Sequence, residues 1–263
     1  MTKLIKEEAK QMYESGFSTV YIARRFNATD TSVCRCLHKL GVKMRRQRCV
    51  RCSVNDDYFE RIDSAEKAYF LGLLATDGCV FSPRGAMKSY AVILKLKDTD
   101  EEIVRKFADV VEWKGELRYS KSVDKRRRYV RVYITSDKMA SDLMRLGVGV
   151  NKTYNLGKVI VPKEFERDFW RGAIDGDGWI SKSYVDEEFG VALVGTRRFL
   201  EYFKEFLIQS GVKPKANVLS RKNNFSCIYG LKGSSAIQVV RLLYNCGGIS
   251  MKRKFELARR WWL

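Results

Sequence analysis

The sequence has no apolar run of 18 residues, the length a membrane-spanning helix needs, and its opening MTKLIKEEAK holds no apolar signal-peptide core. The expectation is an intracellular protein, cytoplasmic or nucleoid-associated, with no membrane partner and no secretion signal. Acids are scarce beside bases: 31 Asp and Glu against 50 Lys and Arg, for a net charge of +19. That imbalance calls for a polyanionic partner, and with the membrane set aside the partner is nucleic acid. Seven cysteines, an odd number without a secretory leader, exclude a disulfide framework and point to a reducing compartment. Histidine occurs once, at His38, among Cys34, Cys36, Cys49 and Cys52. A CxxC spacing is a zinc spacing. Against zinc, Val33, Cys36, Leu37 and Leu40 form an apolar helical stripe, which makes Cys36 a core residue and turns Cys34 elsewhere.

What is present begins with three short helical patterns over residues 4–44, separated by Gly16, Asn27 and Gly41. The second and third, joined by a tight turn and a Thr/Asp cap, match a helix-turn-helix, with Thr31, Ser32 and Arg35 facing base edges. Behind it no acid occurs from Thr31 to Asn55, and KMRRQRCVR places Arg45, Arg46 and Arg48 in an arm along phosphates. The expected division is a helix-turn-helix domain over 1–45, a basic linker over 46–60 and two further parts over 61–155 and 156–263. Removing residues 1–57 is expected to weaken DNA binding more than any chemistry the remainder performs.

Those two parts are copies of one unit. YFLGLLATDGCV at 69–80 aligns with FWRGAIDGDGWI at 169–180, placing Gly72 over Gly172, Asp77 over Asp177 and Gly78 over Gly178, an offset of 100 residues. Downstream, LGVG at 146–149 answers CGGI at 246–249. Each copy reads as αββαββα. The first has helices at 64–77, 99–112 and 136–146 with strands at 79–82, 88–97, 115–121 and 128–135; the second has helices at 163–177, 196–210, 234–245 and 251–262 with strands at 179–185, 189–195, 215–221 and 225–232. The fold class is α+β, an antiparallel sheet with helices on one face in each half.

The strands alternate. RRRYVRVYI sets Arg127, Tyr129, Arg131 and Tyr133 against Val130, Val132 and Ile134, and KSYAVILKLK sets Lys95 and Lys97 against Val92, Leu94 and Leu96. One face is apolar and the other carries Arg, Lys and Tyr, as suits a β-ribbon reading DNA. Lys182 and Arg221 are the corresponding candidates in the second copy.

Asp177 is oddly placed, since a helix C-terminus carries partial negative charge and disfavours an acid. Gly178 reads as a left-handed helix stop. Gly72 and Thr76, and Gly172 and Gly176, stand four apart and give each motif helix a small face. Packed on those faces, the helices would set Asp77 beside Asp177, a pair that needs a hard divalent cation. Two carboxylates holding Mg²⁺ above a basic surface describe metal-assisted phosphodiester hydrolysis.

FLGLLATDG at 70–78 and WRGAIDGDG at 170–178 resemble the paired signature motifs of single-chain LAGLIDADG homing endonucleases, over about residues 60–263. The resemblance implies two pseudo-symmetric halves with saddle-shaped antiparallel sheets in one monomer. It also implies Mg²⁺-dependent cutting of both strands of double-stranded DNA at a long pseudo-palindromic site, in the setting of intron homing. The metal-binding acids it implies are Asp77 and Asp177. It further implies a basic residue near each, here Lys152 in GVNKTYNL and Lys254 in MKRKFEL, with Lys158 and Lys252 as alternatives; plain phosphate contact is the other reading of these lysines. Ala75 departs from the motif where the second copy has Asp175, a position usually structural. A non-catalytic regulator or an RNA-binding maturase on the same fold is the alternative function.

Overall fold

The computed structural model describes residues 3–15, 17, 19–42, 53–83, 88–122, 126–181, 189–221 and 226–261. The chain divides into two compact units, Met1–Arg51 and Cys52–Leu263.

The smaller unit holds three helices, α1 (Lys3–Glu14), α2 (Thr19–Arg25) and α3 (Asp30–Lys39), around Ala9, Tyr13, Ile22, Ala23, Val33 and Leu37. Asn27, at φ 46°, makes the turn before α3. The Thr29 side chain caps α3 by accepting from the Ser32 amide at 3.2 Å. Cys36 is buried, as its stripe requires.

The larger unit begins earlier than a linker over 46–60 would allow. Lys114 donates its amide to the Ser53 carbonyl at 3.0 Å, and Asn55 donates to Val111 at 2.8 Å. Tyr58 and Phe59 are buried in the same core as both halves. Residues 53–60 are therefore anchored chain rather than linker, because their aromatic side chains have a core to enter.

Its elements run α4 (Ala65–Thr76), β1 (Gly78–Phe81), β2 (Ala91–Lys97), α5 (Glu101–Val110), β3 (Arg118–Lys121), β4 (Arg128–Thr135), α6 (Asp137–Arg145) and the short α7 (Lys152–Asn155). The order then returns as α8 (Glu166–Asp177), β5 (Gly178–Ile180), β6 (Gly190–Gly195), α9 (Arg197–Gln209), β7 (Leu219–Ser220), β8 (Cys227–Lys232), α10 (Gly233–Tyr244) and α11 (Lys252–Arg259). Ser64, Ser136 and Thr196 cap α4, α6 and α9 with their side-chain oxygens. Two four-stranded antiparallel sheets result, ordered β1-β2-β4-β3 and β5-β6-β8-β7. The two halves share one core within this unit. Helix α4 is apolar on every side and buried from Ala68 to Thr76, as a central helix must be.

The sheets differ on their outward faces. In the first, Lys95 pairs with Arg131 and Lys97 with Tyr129, giving the basic and aromatic face expected, while Val92, Leu94, Val130 and Val132 are buried. In the second, Val191, Leu193, Tyr229 and Leu231 point into the core. Among the described residues its outward face carries Trp179 opposite Ala192, Val194 opposite Ile228 and Leu219 beside it, with Lys232 opposite Gly190 at one end, so it is more apolar than that of the first sheet. Lys182 lies outside the described residues.

Candidate active site

The two motif helices meet along their small residues. A Cβ on Gly72 would fall on the Phe169 carbonyl oxygen, and one on Gly172 would fall on that of Tyr69. One turn further, a Cβ on Gly176 would meet Thr76 and stand 3.4 Å from Asp77 Oδ2. Backbone rests on backbone here, which only glycine permits. The packing brings both helix ends, and with them Asp77 and Asp177, to one place.

Gly178 does something other than stop the helix in a left-handed turn. Its φ is −88° and ψ 167°, ordinary extended backbone, because α8 passes directly into β5. Glycine is needed for space: a Cβ would stand 2.7 Å from the Ile174 Cα, and one on Gly78 would stand 2.6 Å from the Leu74 Cα.

The acids sit in an environment that resists their charge. Asp77 is half-buried, and its carboxyl is pushed up to about 6, first by burial and then by Asp177, against the pull of Lys254, Lys152 and Arg253. Burial also raises Asp177, opposed by Lys152 and Lys254, although that residue opens to solvent on one side.

Each helix end has its own lysine. Lys152 Nζ donates to the Ala75 carbonyl at 2.9 Å and also to that of Thr76. Lys254 Nζ donates to the carbonyls of Ile174, Asp175 at 2.7 Å, Gly178 at 2.8 Å and Gly176 at 3.3 Å. These ammonium groups occupy the negative ends of α4 and α8 and supply the positive partner that an acid there requires. Burial lowers both amines: Lys152, opposed chiefly by the charge of Asp177, and Lys254, to about 8, opposed chiefly by that of Asp175. Lys158 instead lies over the Tyr202 ring, 5.6 Å from its centre, and Lys252 is exposed at the start of α11.

Three polar contacts made by buried groups near this site are not apparent from the motifs. Asp175 is fully buried and accepts from Tyr69 Oη at 2.8 Å, Tyr244 Oη at 2.7 Å and the Met251 amide at 2.6 Å. Arg171, 1% exposed, donates to Asp168 and to the carbonyls of Ile249 (2.8 Å) and Leu243 (3.1 Å). Arg253 donates its Nε to both carboxylate oxygens of buried Asp100, at 2.9 and 3.0 Å, tying α11 to the first half. The available signal was composition: Asp and Arg inside an apolar helix must find partners.

Of the candidate DNA contacts, Thr31, Ser32 and Arg35 are exposed on α3, and Lys95, Lys97 and Arg131 stand on the outward face of the first sheet. Lys95 lies 4.4 Å from the centre of the Tyr129 ring. Arg127 and Arg221 are exposed at hairpin ends, where Arg127 donates its amide to Ser122 Oγ and Arg221 to the Ser226 carbonyl. Arg45, Arg46, Arg48, Cys49 and Cys52 lie outside the described residues. Among the described residues no three His, Cys, Asp or Glu side chains group to hold a metal, and no helix is long and apolar enough to cross a membrane.

No family model matches the sequence, and no curated protein matches it. Solved structures do. The meganuclease I-SmaMI bound to uncleavable DNA superposes with a TM-score of 0.51 at 10% identity, over 74% of this chain and 87% of that one. The LAGLIDADG homing endonuclease I-GzeII in complex with its DNA target gives 0.48 at 11% identity, over 74% and 88%. I-LtrWI, bound to target DNA, gives 0.45 at 12% identity, over 79% and 89%. With two glycine-faced motif helices at its centre and a four-stranded antiparallel sheet in each half, this chain has the fold of the LAGLIDADG homing endonucleases.

Proposed function

We propose that the chain is a site-specific endonuclease that hydrolyses both strands of double-stranded DNA with a hard divalent cation, Mg²⁺ in the first instance. The observation that carries this is the convergence of Asp77 and Asp177, each at a helix end held by its own lysine. A protein that only bound DNA would gain nothing from two acids facing phosphates.

The residues fit the ion. Mg²⁺ is commonly held by one or two carboxylates, with substrate phosphate and water completing its shell. Asp77 and Asp177 supply that donor set, and a cation would relieve the repulsion that raises Asp77. When bound, the ion supplies Lewis acidity and a more acidic water.

The remaining work falls to side chains. Lys152 and Lys254 both draw the pKa of Asp77 and Asp177 down, which favours the ionised carboxylates. Their amines are occupied by helix-end carbonyls, so they act through charge at the site rather than as free proton donors. Lys95, Lys97, Arg131 and Tyr129 offer the first half-site cationic and aromatic contacts, and Thr31, Ser32 and Arg35 on α3 supply a second reading surface. The net charge of +19 supports phosphate contact along a long site.

The test is a plasmid library carrying randomised duplex, incubated with the protein and Mg²⁺. Linear product is expected from wild type and none from Asp77→Asn or Asp177→Asn. Tight binding without cutting by wild type would make this a DNA-binding regulator, and cutting by Asp177→Asn would remove the residue from the site.

A further inference from the structure

Both site lysines donate their amines to the carbonyls of their own helix ends, but only in the second half is the backbone leading to the lysine also anchored by a carboxylate. In the second half Asp175 stands two residues before the end of α8, and its carboxylate accepts the amide of Met251, the residue just before α11. Lys254 follows three positions later. The same carboxylate is fixed from two other directions, by Tyr69 on α4 and by Tyr244 on α10. Arg253, next to Lys254, is clamped on Asp100. The start of α11 is thus held by two buried carboxylates, Asp100 and Asp175, and Asp175 is itself fixed by both motif helices.

The first half lacks the device. Ala75 stands where Asp175 does and can accept nothing through its side chain. Among the described residues, no side-chain hydrogen bond from α4 reaches residues 148–151, which lead into Lys152. Asn151 there adopts φ 57° and gives α7 no side-chain cap. Lys152 is held to α4 through its own amine.

Resting on the endonuclease reading, we propose that Asp175 is a positioning residue that fixes Lys254 through the start of α11, so that the two cutting centres are unequal and the strand served by Lys254 is cut faster. Asp175 is not a metal ligand in this arrangement, because its oxygens are spent on three donors. The inequality lies in preorganisation: a centre whose charge is already in place needs no rearrangement as the phosphate arrives.

Two measurements test it, one independent of cutting. Acylation of lysines, mapped by mass spectrometry, reports how well each amine is held. In Asp175→Ala the labelling of Lys254 relative to exposed Lys252 is expected to rise about tenfold as the start of α11 loosens, with Lys152 relative to Lys158 changing less than about twofold. Should the alanine variant fail to fold, Asp175→Asn leaves one carbonyl oxygen for three donors and is expected to raise Lys254 labelling about threefold. Unchanged Lys254 labelling in a folded variant, by either substitution, overturns the proposal.

The second measurement is cleavage of a duplex labelled on each strand, at saturating protein. Lys254→Met identifies the strand that Lys254 serves. Wild type is expected to cut that strand about tenfold faster than the other, and Asp175→Ala to abolish the difference by slowing that strand alone, with DNA affinity within about twofold. Equal slowing of both strands, or a wild type with equal rates, overturns the proposal. A wild type that binds and cuts neither strand defeats the endonuclease reading, while the labelling result still decides whether Asp175 positions Lys254.

Discussion

Asp77 shows at the scale of one residue what the site costs the free protein. Its folded pKa, about 6, lies above the ordinary value of 3.8, so the folded state binds this proton more tightly than the unfolded state does. The stabilisation from that proton is therefore complete below about pH 4 and is lost as pH rises through 6. At pH 7 the ionised group works against folding by about 3 kcal/mol. Asp77→Asn, neutral throughout, is expected to be more stable than wild type at pH 7 by up to about 3 kcal/mol and equal to it near pH 4. Urea unfolding at both values measures this, and a difference that ignores pH would remove Asp77 from the strained pair. The same strain makes a cation stabilising. At about ten times its dissociation constant, Mg²⁺ is expected to add about 1.4 kcal/mol to wild type at pH 7 and nothing to a protein carrying Asp77→Asn and Asp177→Asn together. Thermal melts with and without the ion read this directly, with no need for a DNA target.

At the scale of elements, the site exists because α4 and α8 touch through backbone. Gly72→Ala or Gly172→Ala would drive a methyl group into a facing carbonyl, and neither helix can retreat, since both are buried by the surrounding core. Each substitution is expected to lower stability by about 2–3 kcal/mol or more. The double substitution should cost less than the sum, since the first already separates the helices. Chemical denaturation gives all three values, and full additivity would mean that the two glycines do not share one interface. Gly211→Ala is the contrast: φ is +86° with nothing within 4 Å of its Cβ, so the cost is conformational, about 1 kcal/mol.

At the scale of the whole molecule, the chain divides after Arg51 into two compact units. The fragment 52–263 keeps Ser53, Asn55, Tyr58 and Phe59 on their core and is expected to melt within about 2 °C of the larger unit in the full chain. A fragment starting at residue 58 lacks the first two of these and is expected to melt several degrees lower, by about 1 kcal/mol of missing backbone pairing. With a defined DNA target, the fragment 52–263 should show a shallower salt dependence of binding, by about 0.9 log units for each phosphate it no longer neutralises, while its cutting rate at saturation stays close to that of the full chain. An unchanged salt slope would mean that the first 51 residues do not touch DNA.

Much of this was legible in residue order. The 100-residue offset between Asp77 and Asp177, the four-residue spacing of Gly172 and Gly176, the Thr/Asp cap before the third helix and the alternation through Tyr129, Val130 and Arg131 are local patterns, set largely by the periods of helix and strand. They determined two αββαββα halves, a small helical unit before them and a paired-acid site. What only tertiary structure decided are contacts between residues with no fixed spacing. Lys152 and Lys254 became helix-end partners because the chain after α6 and α10 returns to those ends; Asp175 became the anchor of α11 because Tyr69, Tyr244 and Met251 reach it from positions 106, 69 and 76 residues away. The extended φ of Gly178 likewise followed from packing, where α8 runs directly into β5. Local periodicity fixes which way a side chain points along its own element, whereas the partner it meets depends on how distant elements fill one core.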